Sequence, residues 1–455
     1  NYVIRVFIVA RAVSGFWERL QSWYNECLLK KACHRSKAPD ATLITTKSNP
    51  IGASLMSEAF DIPDPYTIPL EDIDVSNPLL YKYDAQWPYF ERLRNEAPIH
   101  YCKDSDFGAF WSITKYDDIM DVEKDHETFS SFPTIVLGDQ DADITVEQFI
   151  ASDPPKHDGQ RKAVTGAVSP QSLSKMEPII RERIAKIMDE LPIGEPFNWV
   201  DRVSIELTTQ MLATLFDFPY EDRRKLIYWS DLTTNVPQVT GIEVDMQERQ
   251  AGLQECAMTF FQLWQERAAA EPKFDLISML AHGEATKDLI NDPMGLLGNI
   301  LLLIVGGNDT TRNSISGGVI ALNQFPDQYD KLRENVDLIP NMVAEIIRWQ
   351  TPLTHMRRTA LEDVELQGKT IKKGDKVLMW YVSGNRDTAV FDNPDKLIID
   401  RANARQHVSF GFGIHRCMGN RLAEMQLRIL WEEISKRFHK VEVIGEPERV
   451  VSNFV

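Results

Sequence analysis

The longest helical pattern in the chain opens with an acid and a proline, Asp292-Pro293, and continues through Leu296, Leu297, Ile300, Leu303 and Ile304. An aspartate can cap the first N–H groups of a helix, and proline is tolerated at the first helical position, where its missing N–H costs nothing. The pattern is apolar nearly all round, so the helix has no face to give to water and must lie buried. It then breaks at Gly306-Gly307-Asn308-Asp309-Thr310-Thr311. Mid-helix glycines cost roughly 1 kcal/mol each relative to alanine. A local rule broken inside a core helix is what a functional site looks like. Glycines would let a ligand approach the backbone, a hydroxyl can bond a helix carbonyl and loosen the helix, and a carboxylate that reaches solvent or an ion-pair partner can pass protons inward. A helix–helix crossing that needs small residues explains Gly306 and Gly307 as well, but gives Asp309 no role.

The second informative stretch is Phe410-Gly411-Phe412-Gly413-Ile414-His415-Arg416-Cys417-Met418-Gly419, which runs into the amphipathic pattern Leu422, Met425, Ile429, Leu430, Ile434. A cysteine at the mouth of a helix sits against outward-pointing N–H groups, which lower a thiol pKa. An isolated cysteine is more often a small buried hydrophobe. The Gly-x-Gly approach, the flanking His and Arg and the helix downstream weigh against that reading. No Cys-x-x-Cys or His pair is near enough to complete a zinc site, so haem iron, which accepts a single thiolate, is the leading candidate.

Composition sets the remaining bounds. The 455 residues, 43% of them hydrophobic, suffice for a large core, and the formal charge of −17 argues against a nucleic-acid partner. The cysteines Cys27, Cys33, Cys102, Cys256 and Cys417 are scattered, as in a reduced cytoplasmic protein. No run reaches the eighteen or so apolar residues of a membrane span, and the opening segment Val3–Arg11 is short and interrupted by Arg5 and Arg11. Residues 1–57 show no clear period and are expected to form an accessory or poorly ordered extension, with one catalytic domain from 58 to 455. Within it, Trp87–Leu93 reads as a helix, and Ile99–Tyr101 and Ala109–Ile113 as paired strands. Residues 131–150 form a long loop, and 176–285 are helical by pattern. Short strands are expected at Val364–Leu366, Thr370-Ile371 and Val377–Trp380. The fold class is mainly α with a small β region.

At Phe410, Gly413, Cys417 and Gly419 the chain resembles the cytochrome P450 family, whose haem-binding signature is Phe-x-x-Gly-x-x-x-Cys-x-Gly. The Gly306–Thr311 segment resembles that family's (Ala/Gly)-Gly-x-(Asp/Glu)-Thr motif, and Glu345-x-x-Arg348 its fixed structural pair. The resemblance implies a triangular prism of helices with minor sheets, a long central helix over haem b, and Cys417 as the iron ligand. It makes Asp309 the proton relay and Thr310, with Thr311 as runner-up, the hydroxyl that holds dioxygen and water. It implies propionate contacts from His157, Arg161, Arg358 and His415. Phe410, Gly411, Gly419 and Gly306 are expected to lie against the cofactor, and Arg401 to join Glu345 and Arg348. The substrate contacts implied are Ile135, Leu137, Leu302, Val305, Gly306, Leu353, Met356 and Phe454. The family's last strand pair is expected to be missing after Val455.

The implied activity is a haem-thiolate monooxygenase. Within the family, the segments Gly306–Ser314, Asp153–Asp158 and Thr351–Ala360 look like the bacterial alkane and fatty-acid terminal hydroxylases. A terpene or aromatic substrate is the runner-up. A peroxide-using peroxygenase or a non-catalytic haem sensor would have no need of the Asp309–Thr310 relay. Electrons would come from a 2Fe–2S ferredoxin and its NAD(P)H-dependent reductase, docking on Arg405, Arg416, Arg421, Lys156 and Lys162.

Overall fold

A computed structural model describes residues 2–9, 62–139, 147–235, 240 and 245–455. In chain order its helices are α1 (Pro78–Lys82), α2 (Trp87–Glu96), α3 (Tyr116–Lys124), α4 (Lys156–Thr165), α5 (Pro170–Asp189), α6 (Ile205–Phe216) and α7 (Arg224–Thr234). There follow α8 (Met246–Ala268), α9 (Leu276–His282), α10 (Pro293–Gln324), α11 (Pro326–Glu334), α12 (Ile339–Gln350), α13 (Tyr381–Gly384) and α14 (Asn420–Arg437). The strands are β1 (Tyr2–Phe7), β2 (Ile99–Cys102), β3 (Phe110–Ile113), β4 (Phe129–Ser130), β5 (Phe197–Asn198), β6 (Met356–Ala360), β7 (Val364–Leu366), β8 (Lys369–Ile371), β9 (Lys376–Met379) and β10 (Phe438–Val443).

Helix α10 is the axis of this body. Leu296, Ile300, Leu301, Ile304, Ile315, Val319 and Leu322 are buried along its length, and α6, α7 and α12 pack around it. Each such side chain contributes about 1.5–3 kcal/mol on leaving water, so the acid in this run needs dedicated partners. Asp292 caps the helix, its carboxylate accepting the Gly295 N–H at 3.0 Å. Gly159 in α4 has a packing reason invisible in the sequence: a Cβ there would sit 3.0 Å from the Ala285 methyl.

The largest sheet has the order β2-β3-β9-β6-β4, with β3 and β9 parallel and the other pairs antiparallel. Strands β7 and β8 form a separate hairpin. The third sheet corrects the expectation for the chain's start. Tyr2–Phe7 lies between β10 and β5, parallel to both, with Ile4, Val6 and Ile8 buried. Val3, Arg5 and Phe7 alternate with these buried positions, which is the period of a half-buried strand, and Arg5 pairs with Glu442 across the sheet at 3.0 Å. The rest of the expected extension, and its boundary at 58, lies outside the described residues.

A buried ion cluster ties α12 to the segment that leads to Cys417. Glu345 and Arg348 are fully buried and paired at 2.8 Å through both carboxylate oxygens. Arg401 donates to the same carboxylate at 3.0 Å, and the Ile398 N–H does so at 2.9 Å. The remaining Arg348 donors reach the carbonyls of Asn385, Pro394 and Lys396. Removing one partner of such a cluster strands a buried charge. Arg348→Ala is therefore expected to cost about 3–5 kcal/mol, read as a lower denaturation midpoint with α10 still helical by circular dichroism.

Candidate active site

Two elements carry the residues the sequence singled out: the break in α10 and the loop before α14. In α10, the Thr310 hydroxyl donates to the Gly306 carbonyl at 3.1 Å, the local back-bond expected from the sequence. The two glycines have different reasons. A Cβ on Gly306 would meet nothing within 4 Å, whereas one on Gly307 would sit 2.7 Å from Leu212 Cδ2. Gly306 thus opens the helix surface, and Gly307 lets α6 approach. Thr311 is buried, so Thr310, half-buried beside Gly306, is the hydroxyl on the open side.

Asp309 is fully buried. It pairs with Arg312 at 2.8 Å and accepts from Ser230 Oγ at 3.0 Å and Asn308 Nδ2 at 2.9 Å. Arg312 reaches Asp231 at 3.4 Å, and Thr208 donates to Asn308 at 2.7 Å, so α7 and α6 both hold this segment of α10. Burial raises the Asp309 carboxyl above the usual carboxylate range even against Arg312 and these donors. The spacing of three between Asp309 and Arg312 was a signal the sequence carried; Ser230 and Asp231 left none.

At the cysteine loop the Cys417 N–H donates to the Phe410 carbonyl at 2.8 Å, and Gly419 begins α14. Phe410 and Met418 pack on the main core. The Gly419 and Asn420 N–H groups, Arg161 and Arg416 all act to lower the thiol, as the helix start predicts, while desolvation acts to raise it.

His157 and His415 lie with ring centroids 4.3 Å apart, both buried. His157 Nδ1 contacts Asp158 at 2.8 Å, while His157 Nε2 and both His415 nitrogens have no hydrogen-bond partner among the described residues. Burial, then Arg358, His157, Arg161 and His126, push His415 down to about 2. A cluster of donors and cations with unpartnered buried nitrogens fits an anionic group. His126 is a member the sequence did not flag. Arg161 also donates to the Arg416 carbonyl, which draws α4 onto the loop. Arg358 is not free to face a ligand alone: it pairs with buried Glu123 at 2.7 Å.

Of the expected substrate contacts, Ile135, Leu353, Met356 and Phe454 meet in one apolar cluster with Ala151, Val136, Ile150 and Val455. Two others do not join it. Leu137 is fully buried in the cluster of Phe110, Leu378 and Trp380, because Arg357 holds its carbonyl and the side chain turns into the body. Leu302 packs against the main core. Val305 is half-buried beside Gly306. On the expected docking face, Arg405 pairs with Glu424 at 3.1 Å and Lys156 with Glu147. Arg421 and Lys162 are exposed, with no ion pair among the described residues.

Comparison with known proteins agrees with this geometry. The cytochrome P450 family model matches residues 86–449, and the chain belongs to that family. It is 36% identical over 403 residues to a linalool 8-monooxygenase of Pseudomonas putida, covering 85% of this chain and 97% of that protein. It is 30% identical over 416 residues to a methyl-branched lipid omega-hydroxylase of Mycobacterium tuberculosis, covering 86% and 94%. Among solved structures, a cytochrome P450-153 from Novosphingobium aromaticivorans superposes with a TM-score of 0.78 at 48% identity, covering 84% of this chain and 96% of that one. The protein is a cytochrome P450 monooxygenase, an oxidoreductase whose cofactor is haem b and which needs a redox partner and O2. The donor set fits that cofactor: a cysteine at a helix start, unpartnered imidazoles and guanidinium groups for its two carboxylates. Among the described residues, no helix is long and apolar enough to cross a membrane.

The loop carrying Ile135 is pinned by charge. Arg357 donates its backbone N–H to the Ile135 carbonyl at 2.9 Å, and its side chain donates to the Leu137 carbonyl at 3.1 Å and to Asp139 at 2.8 Å. Lys376 completes the clamp on Asp139 at 2.7 Å. Burial raises the Asp139 carboxyl, but Lys376 and Arg357 outweigh it and hold it below the usual range. A depressed folded pKa stabilises above the ordinary value near ~4 and loses that contribution as pH falls through the folded value. Asp139→Asn is therefore expected to speed amide exchange over residues 131–139 at neutral pH. The difference from the parent should vanish in strong acid.

Proposed function

We propose that this P450 hydroxylates the terminal carbon of medium-chain alkanes or fatty acids, with electrons from a 2Fe–2S ferredoxin and an NAD(P)H-dependent reductase. The observation that carries the substrate class is the cluster of Ile135, Ala151, Leu353, Met356 and Phe454, all apolar. An alkyl chain is recognised by burial alone, at about 25 cal/mol per Å² removed from water. Arg357, beside Met356 in β6, is already committed to Asp139 and the Leu137 carbonyl. The name of the omega-hydroxylase relative, an enzyme of chain ends, supports the regiochemistry.

When bound, haem supplies reductive activation of O2, inserting one oxygen atom into a C–H bond while the other leaves as water with two electrons and two protons. The protein's own groups hold and feed that chemistry. Cys417 would be the thiolate ligand of the iron. His157, Arg161, Arg358 and His415 would take the propionates. Gly306 leaves the α10 surface open, and the Thr310 hydroxyl, which donates to the Gly306 carbonyl, would hold dioxygen and water. Asp309, held by Arg312 and Ser230, would be the acid that supplies protons to that hydroxyl. Exposed Arg421 and Lys162 offer positive charge to an acidic ferredoxin.

A second reading, an acyclic terpene substrate, is favoured by the 36% identity to the linalool enzyme. A haem spin-state titration with alkanes, fatty acids and linalool separates them. Saturable shifts are expected with chains of medium length, and a shift with linalool alone would overturn the alkyl assignment. In the reconstituted system Thr310→Ala is expected to keep consuming NADH while hydrogen peroxide replaces product. Asp309→Asn should lower kcat by about 10²-fold or more, and unchanged coupling in the first variant would remove Thr310 from the relay.

A further inference from the structure

Glu123 is a buried acid at the last turn of α3 whose role neither the family signature nor the motif spacing assigns. It is 3% exposed. One carboxylate oxygen accepts from Arg358 Nη2 at 2.7 Å. The other accepts from the Tyr381 hydroxyl and, at 3.4 Å, from the Phe412 N–H. The same residue shapes the cysteine loop sterically. Gly411 and Gly413 have φ of +64° and +65°, a region that side chains rarely adopt. A Cβ on Gly411 would stand 3.1 Å from the Glu123 carboxylate, and one on Gly413 would stand 2.3 Å from the Glu123 carbonyl. Both glycines of the approach to Cys417 are thus fitted around this one acid. Tyr381 is itself buried, and burial together with the neighbouring Glu123 charge keeps its hydroxyl protonated, so it is a permanent donor.

We infer that Glu123 is a positioning residue for the haem: a buried negative charge that sets Arg358 at the cofactor's edge, registers the thiolate loop against it, and holds the haem potential down. Three contacts from three segments (β6, α13 and the cysteine loop) end on one carboxylate, which a purely packing role does not need. A charge in a dry site acts on its neighbours far more strongly than one in water. Outer partners of a metal site's ligands tune potential and affinity as the ligands do. A negative charge near the haem stabilises the ferric state over the less positive ferrous state, and so lowers the potential.

The inference rests on the reading that Arg358 faces the haem propionates, and the test separates the two. In the purified holoenzyme, Glu123→Gln keeps the side chain's shape and removes its charge. It is expected to raise the haem midpoint potential and to speed haem transfer to a scavenger apoprotein on the order of tenfold. Tyr381→Phe removes a donor and leaves the charge less shielded, so the potential should fall. Opposite signs in two variants at one contact are not produced by a structural defect. Potentials unmoved, or moved in the same direction, would overturn the assignment. If Glu123→Gln does not load haem, the downward shift in Tyr381→Phe decides alone. Arg358→Gln is the control. Faster haem loss there with no shift in the other two variants defeats only the Glu123 inference, whereas unchanged haem retention in Arg358→Gln defeats the propionate reading beneath it.

Discussion

One buried carboxylate, Glu345, holds the protein's proximal half in register. Two guanidinium groups and a backbone N–H converge on it, and the remaining donors of those arginines satisfy carbonyls from Asn385 to Lys396. That segment has almost no regular structure, so its carbonyls would otherwise face a dry interior unpaired. The chain from it runs directly into the loop that presents Cys417. A pair on the surface would contribute little. Buried and satisfied on every side, this one fixes where an irregular stretch of backbone must lie, and so the position of the thiol relative to α10.

The site shows the same device twice more, on opposite sides. Asp309 is held in α10 by Arg312 and by side chains from α7, and Glu123 is held against the cysteine loop by Arg358 and Tyr381. The two acids differ in what surrounds them. Asp309 shares its ion-pair cation, Arg312, with Asp231, and burial raises its pKa. Glu123 is held by Arg358, by the Tyr381 hydroxyl and by the Phe412 N–H.

Much of this could be read in the residues because it is local. The period of α10, its cap at Asp292, the break at Gly306–Thr311 and the Cys417 loop are each contained within a few turns of chain. The misreadings all involve distant partners. Leu137 looked like a pocket residue until Arg357, far along the chain, turned it inward. Tyr2–Phe7 had no evident place because its neighbours in the sheet are β5 and β10, both far away in sequence.

By itself, then, the sequence determined a helical body threaded by one buried helix, a cysteine loop that opens a helix and a glycine-marked break with a hydroxyl and a carboxylate, since these depend on short-range periodicity and on local residue types. Tertiary structure alone decided which glycine is open and which is packed, and which arginine holds the Ile135–Asp139 loop and which pairs with Glu123. It also decided that Glu123, unremarked in a short helix, stands at the junction of three segments. Those choices turn on which charges and surfaces meet after folding, and a linear order of residues does not carry distances across the fold.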